Sequence, residues 1–255
     1  MKLDDVKKLH LKRYREELGH FLVEGEHLVL ELEKAARTQP ALQACELFVT
    51  PEYEKWQSAF RKTLIGASHM SQVADTKTPQ GIVAVVPILP PGAVRQGERG
   101  IYLTGLQDPG NLGTILRTLA WFGGWRCLLG PDSVDPWNPK AVRASAGAIF
   151  HVPVEVEVSL ESLQERFPRI ASLDMQGQSI LTPQFAQFDC YVFGNEARGL
   201  PREPLAALGA RPFTIAGSGA IDSLNVASAV NMCVYEIGRG LPAASRPATS
   251  PPPAS

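Results

Sequence analysis

A chain of 255 residues, 44% of them apolar and 7% aromatic, can bury one large core or two modest ones. Its 25 Lys and Arg nearly balance 26 Asp and Glu, for a net charge of −1. That excludes a uniformly basic surface for nucleic acid and confines any such contact to a local patch. Cys45, Cys127, Cys190 and Cys233 lack metal or redox spacing, which predicts buried free thiols in a reducing compartment. No metal site is expected. No apolar stretch is long enough to span a membrane, and the N-terminus lacks a signal-peptide core. Asp4 and Asp5 argue against a mitochondrial presequence, so the expectation is a cytoplasmic protein.

In chain order, residues 5–18 read as a basic helix. Lys2, Lys7, Lys8, Lys12, Arg13 and Arg15 face only Asp4 and Asp5 within the first fifteen positions. A solvated amphipathic helix and a phosphate-binding patch are equally good readings. Residues 21–25 read as a strand, and 26–37 as a helix with Leu28, Leu32 and Ala35/Ala36 near helical spacing. A strand follows at 47–50, a helix at 51–64 that opens on Pro51, and a strand at 82–86. This alternation implies a small α/β layer.

The Pro- and Gly-rich stretch 87–100 has little periodicity and reads as an interdomain linker, with 91–99 as its span between folded parts. Further strands are expected at 101–104, 127–129, 149–152, 170–173, 191–193 and 213–215. Several are short, apolar and non-alternating, as strands covered on both faces should be. The tail, residues 242–255, is too rich in Pro, Ala and Ser to build a core and is expected to be disordered.

Three glycine-bearing polar segments follow apolar runs: DPGNLGTILR from Asp108, GNEARGL from Gly194 and IAGSGAIDSLNV from Ile215. Strand-to-helix loops on one edge of a parallel sheet are where α/β proteins build sites. In the first, Asn111 is a candidate N-cap. The helix then carries Ile115, Leu119 and Phe122 on one face, with Arg117 and Trp121 on the other. That second face is either ordinary exposed surface or a contact with a second subunit or nucleic acid. The second segment lacks the Lys of a P-loop and the spacing of a dinucleotide fingerprint. Its glycines allow a flat ligand to approach the backbone. In the third, Asp222 or Ser223 is a candidate cap. Val226, Val230, Cys233 and Ile237 form a core face, and Asn225 lies on the side of Met232.

Together these segments resemble the three signature motifs of the SpoU family of RNA 2′-O-ribose methyltransferases, in the SPOUT superfamily. Asn111, Gly113 and Arg117 match the first motif. Gly194, Asn195 and Glu196, with Gly199 following, match the second. Ser223, Leu224, Asn225 and Val226 match the third. VRASAGAIFHVPV from Val142 is similar to the segment that joins the first two. RYREELGHFLVEGEHLV and TKTPQGIVAVV are similar to the family's N-terminal substrate-binding domain. There are departures: Ala216 and Gly217 stand where the family usually has Pro and Met, and Ala197 and Arg198 replace a common Gly-x pair.

The resemblance implies an α/β fold. A small ribosomal-protein-like RNA-binding domain (1–90) would precede a SPOUT domain (100–241) with a parallel sheet flanked by helices and tied in a deep trefoil knot. It implies transfer of a methyl group from S-adenosylmethionine to a ribose 2′-hydroxyl, in rRNA first and tRNA second, by a homodimer. A non-catalytic RNA-binding protein of the same fold is the competing reading. Arg117, Asn111, Glu196, Ser223 and Asn225 are the implied catalytic residues. Gly194, Asn195, Ile215, Gly219 and Leu224 are the implied cofactor contacts. Lys8, Lys12, Arg13, Arg15 and Arg143 are the implied RNA contacts.

Overall fold

The computed structural model describes residues 1–195, 198–221 and 223–239. Glu196, Asp222 and the expected tail 242–255 therefore lie outside the described residues. The chain divides into two compact units. One combines Met1–Ala93 with Gln107–Arg117 and Val134–Val154; the other combines Val94–Leu106 with Thr118–Ser133 and the chain from Glu155 onward.

The first unit opens on helices α1 (Leu3–Lys8) and α2 (Lys12–Leu18), then β1 (His20–Glu24), α3 (Glu26–Ala36), β2 (Glu46–Val49), β3 (Arg61–Leu64), α4 (Ala67–Val73) and β4 (Ile82–Pro87). The four strands form one sheet in the order β1-β4-β2-β3. β4 runs antiparallel to both β1 and β2, and β3 runs parallel to β2. Val83 and Val85 of β4 bury with Leu22, Phe48, Val6, Leu9, Met70 and Val73. The alternate residues Ile82, Ala84 and Val86 are buried as well. Because side chains alternate along a strand, both faces of β4 are covered, as a continuous apolar run requires.

Three expectations for this unit change. The single basic helix is two helices broken at Leu9–Leu11. The break leaves the Leu9 and His10 carbonyls without helical partners, and Arg15 Nη1 donates to both at 2.7 and 2.8 Å. The helix expected at 51–64 is a 3-10 turn, Pro51–Tyr53, followed by the edge strand β3. Pairing Glu46–Val49 with Arg61–Leu64 satisfies the outer backbone groups of β2, which a helix there would have left open. The short helix α4, whose Met70 and Val73 are buried, was not expected at all.

Chain order continues with β5 (Arg99–Leu103), α5 (Pro109–Phe122), β6 (Trp125–Leu129), α6 (Pro139–Ser145), β7 (Val154–Glu155), α7 (Leu163–Arg166) and β8 (Ile170–Ser179). Then come β9 (Cys190–Phe193), α8 (Arg202–Ala207), β10 (Arg211–Thr214) and α9 (Val226–Arg239). These strands form a six-stranded sheet in the order β10-β8-β9-β5-β6-β7. β5 pairs in parallel with β6 and β9, and β8 with β9 and β10. This is the expected α/β fold with a parallel sheet and flanking helices. β6 and β9 are buried at every position. On one face Tyr102, Leu128, Cys190 and Val192 pack with Leu163, Phe167 and Leu205. Tyr102 also donates to the Val158 carbonyl at 2.9 Å.

All four cysteines are free and buried. Burial pushes the Cys127 and Cys45 thiols up to about 12, and Cys190 and Cys233 above the ordinary thiol range. The strand expected at 149–152 is instead a 3-10 turn, Ala148–Phe150. Its side chains are buried as expected, but a short buried apolar run fits either conformation. Among the described residues no helix is long and apolar enough to cross a membrane, and no group of His, Cys, Asp and Glu could hold a metal ion.

Candidate functional site

The three polar segments leave the C-terminal ends of β5, β9 and β10, strands of the parallel sheet. In the first, the helix cap is Asp108 rather than Asn111. Its carboxylate accepts from the Gly110 and Asn111 N–H groups at 3.2 and 3.1 Å, with Pro109 at the first helical position. An Asp-Pro step at a helix start carries both signals, which outweigh the capping preference of Asn111 three residues on. Asn111 is thereby inside the first turn and half-buried. Leu112, Ile115, Leu116 and Leu119 form the buried face of α5. Arg117 is exposed, with no ion-pair partner among the described residues. Trp121, one turn on, is 85% exposed.

In the second segment Gly194 passes so close to Gly199 that an added Cβ would sit 2.7 Å from its carbonyl carbon. Asn195 and Gly199 exchange backbone hydrogen bonds of 3.0 and 2.8 Å, closing a tight loop, and Gly199 has φ +68°. The Asn195 side chain is engaged as well. Its Oδ1 accepts from the Arg198 N–H at 3.0 Å, and its Nδ2 donates to the Gly105 carbonyl at 2.5 Å. That last bond ties the end of β9 to the loop after β5, a link that sequence spacing did not reveal. Glu196 lies outside the described residues.

In the third segment the cap is Asn225, not Ser223. Its Oδ1 accepts from the Ala227 and Ser228 N–H groups at 3.0 and 3.2 Å. Ser223 and Leu224 are exposed ahead of it, and Gly219, with φ +79°, turns the exposed loop. Ile215 is half-buried at its start. Val226, Val230, Cys233 and Ile237 form the buried face of α9, as expected, while Met232 and Tyr235 are exposed. Within the second unit, Thr118 donates to Asn231 at 2.6 Å and Phe122 meets Tyr235 edge-on.

The expected RNA contacts separate into two groups. Lys8, Lys12 and Arg13 are exposed. Lys8 donates to Asp5 at 2.8 Å, and this bond raises the ammonium and lowers the carboxyl. Arg15 is only 4% exposed. Its guanidinium pairs with Asp135, Nε donating to Oδ2 at 2.9 Å, so Arg15 cannot reach a phosphate and that expectation is corrected. Arg143 is half-buried and lies 2.8 Å from the Asp75 carboxylate. The Asp135 partner, 120 residues from Arg15, gave no signal in the sequence.

These loops suit S-adenosylmethionine. Gly194 lets the end of β9 close against the Gly199 and Leu200 backbone, which shapes the loop that a cofactor would meet. Ile221 and Leu224 are exposed apolar side chains, suited to an adenine face. A sulfonium is cationic, so a nest of N–H donors built for phosphate would be the wrong lining.

Comparison with known proteins agrees. The family model described as SpoU rRNA Methylase family matches residues 98–235, and one described as MRM3-like substrate binding domain matches residues 2–84. An uncharacterised tRNA/rRNA methyltransferase of Synechocystis is 33% identical, over 95% of this chain and 92% of its own. The 23S rRNA (guanosine(2553)-2′-O)-methyltransferase of Bacillus subtilis is 30% identical over 92% of this chain and 95% of its own. Among solved structures, the AdoMet-bound rRNA methyltransferase of Sinorhizobium meliloti superposes with a TM-score of 0.78 at 25% identity, covering 94% of this chain and 95% of that one.

Proposed function

Since this chain belongs to the SpoU rRNA methylase family, we propose that it transfers the methyl group of S-adenosylmethionine to a ribose 2′-hydroxyl of ribosomal RNA. The observation that carries the reading is the set of three motif loops at the C-terminal ends of parallel strands, with Arg117 exposed on the first helix. When bound, the cofactor would supply a methyl carbon on a cationic sulfur, and that sulfur would leave as a neutral thioether when the ribose oxygen attacks the carbon and its proton passes to solvent. Gly194, Ile215, Gly219 and Leu224 hold it, and Asn195 acts by shaping the loop that they line. Ser223 offers an exposed hydroxyl for the ribose. Asn225 fixes the start of α9, and so the place of Ser223 and Leu224. Asn111 orients the sugar, and Glu196 is assigned with it on the motif alone.

Arg117 cannot serve as a base, because a guanidinium stays protonated at any working pH. It binds the phosphate beside the target ribose and favours the alkoxide character that develops as the hydroxyl proton leaves. A preorganised donor in that position contributes about 3–4 kcal/mol. Single-turnover rates for Arg117→Ala should therefore fall roughly 10²–10³-fold, with Arg117→Lys recovering part of the loss. Rescue of Arg117→Ala by high pH, with nothing restored by Lys, would show that Arg117 acts in the proton step instead.

The finer reading goes further. A knotted C-terminal domain is the form that family membership supports. A homodimer fits the exposed Trp121, Met232 and Tyr235, which leave apolar surface on α5 and α9 open to solvent. Lys8, Lys12 and Arg13 supply phosphate contacts, so RNA affinity should fall as salt rises. rRNA stands ahead of tRNA because the substrate-binding match at 2–84 and the Bacillus relative both point there. A cytoplasmic location is the reading consistent with the two bacterial relatives. Ribose-methylation mapping of rRNA, with and without the purified protein and cofactor, tests the whole reading.

A further inference from the structure

We infer that α6 is a positioning strut for Arg117, with Gly113 as the residue through which it acts. This rests on the reading of Arg117 as the group at the reacting ribose. Every contact involved lies inside the first unit. The Cα of Gly113 is pressed onto the end of α6: an added Cβ would lie 2.5 Å from the Ala144 carbonyl carbon and 2.8 Å from the Ser145 nitrogen. Both are backbone atoms, so no side-chain rotation could relieve the clash. Gly113 sits one turn before Arg117 on α5, and the separation of these helices sets where the Arg117 turn lies.

α6 is in turn fastened to the N-terminal part of the unit. Ahead of it, Asp135 takes the buried Arg15 guanidinium and also caps the Trp137 N–H at 3.0 Å. On it, Arg143 meets Asp75 at 2.8 Å. Beyond it, Gln39 donates to the Phe150 carbonyl at 2.6 Å. The exposed cations Lys8, Lys12 and Arg13 flank the same break that Arg15 seals. The strut therefore links the surface that grips RNA to the helix turn that presents Arg117.

Gly113→Ala is the direct test. Single-turnover methyl transfer at saturating RNA and S-adenosylmethionine should fall at least tenfold. The dissociation constants for both should stay within threefold of wild type. A folded Gly113→Ala protein with an unchanged rate overturns the inference, as does a rate loss that merely follows lost affinity. Should this variant not fold, Arg15→Met with Asp135→Leu replaces the buried pair by apolar side chains that can keep the packing. A rate loss of threefold or more with both affinities kept supports the strut; the wild-type rate overturns it. A wild-type chain that methylates no RNA would refute the functional reading itself, whereas an active wild type with unaffected variants would refute the strut alone.

Discussion

At the scale of single residues, the three asparagines of the motifs share a side chain but not a task. Asn225 spends its oxygen on the first N–H groups of α9, while Asn195 spends both ends of its amide on loop geometry. Asn111, expected to cap α5, yields that place to Asp108. Capping favours an acceptor just outside the helix, and Pro109 puts Asp108 there. Asn195→Ala removes a side chain that joins two loops yet leaves the core untouched. A lost hydrogen bond of this kind costs about 1–2 kcal/mol. If Asn195 shapes the cofactor loop, calorimetry should show S-adenosylmethionine affinity weakened roughly tenfold, with the melting temperature lowered by only a few degrees. Unaltered affinity would mean that the loop keeps its shape through the Asn195–Gly199 backbone bridge alone.

At the scale of elements, the parallel sheet depends on a buried charge. Arg126 on β6 is 1% exposed and donates to Glu98 at 3.0 Å and to Glu155 at 2.6 Å. Glu155 also receives Arg166 at 2.6 Å. Removing one partner of such a pair strands the other without solvent, at a cost of about 3–5 kcal/mol. Arg126→Met should lower thermal stability by that order, and adding Glu98→Gln should recover part of it by discharging the stranded carboxylate. A fully stable Arg126→Met would show that the network is dispensable. This arginine also marks the limit of what a sequence shows of an element. β5, β6 and β9 were legible because strands covered on both faces read as apolar runs, but Arg126 hid the start of β6, which was expected at 127–129 and begins at Trp125. β3 was not legible: Arg61 to Leu64 is an edge strand with exposed side chains, fixed by backbone pairing with β2, and backbone demand leaves no side-chain period. The site divides the same way. Arg117, Gly194 and Leu224 were assigned through the resemblance of their motifs, whereas Asp135, Gly105 and Asp75 make contacts set only by the fold.

At the scale of the whole molecule, the charge balance near zero conceals a dependence on acid. Burial alone would raise the Glu155 carboxyl, but hydrogen bonds from Arg166 and Arg126 outweigh it and hold it below its ordinary 4.5. The hydrogen bond from Arg169 likewise holds Asp189 below 3.8. A carboxylate whose folded pKa lies below its unfolded value binds fewer protons in the native state. Its contribution is complete above the unfolded value and is lost as pH falls through the folded one. The contribution of these two carboxylates should therefore be level from neutrality to about pH 5 and decline below about pH 4.5, while burial holds the His151 imidazole below its ordinary 6.5 and adds an earlier loss of stability as pH falls through that value. Urea midpoints measured across that range provide the check, with Glu155→Gln as the control. Glutamine cannot ionise, so the variant should be less stable at neutral pH and lose less on acidification. An equal loss in both proteins would place the acid sensitivity in other carboxylates, and Asp189→Asn would then be the variant whose slope decides.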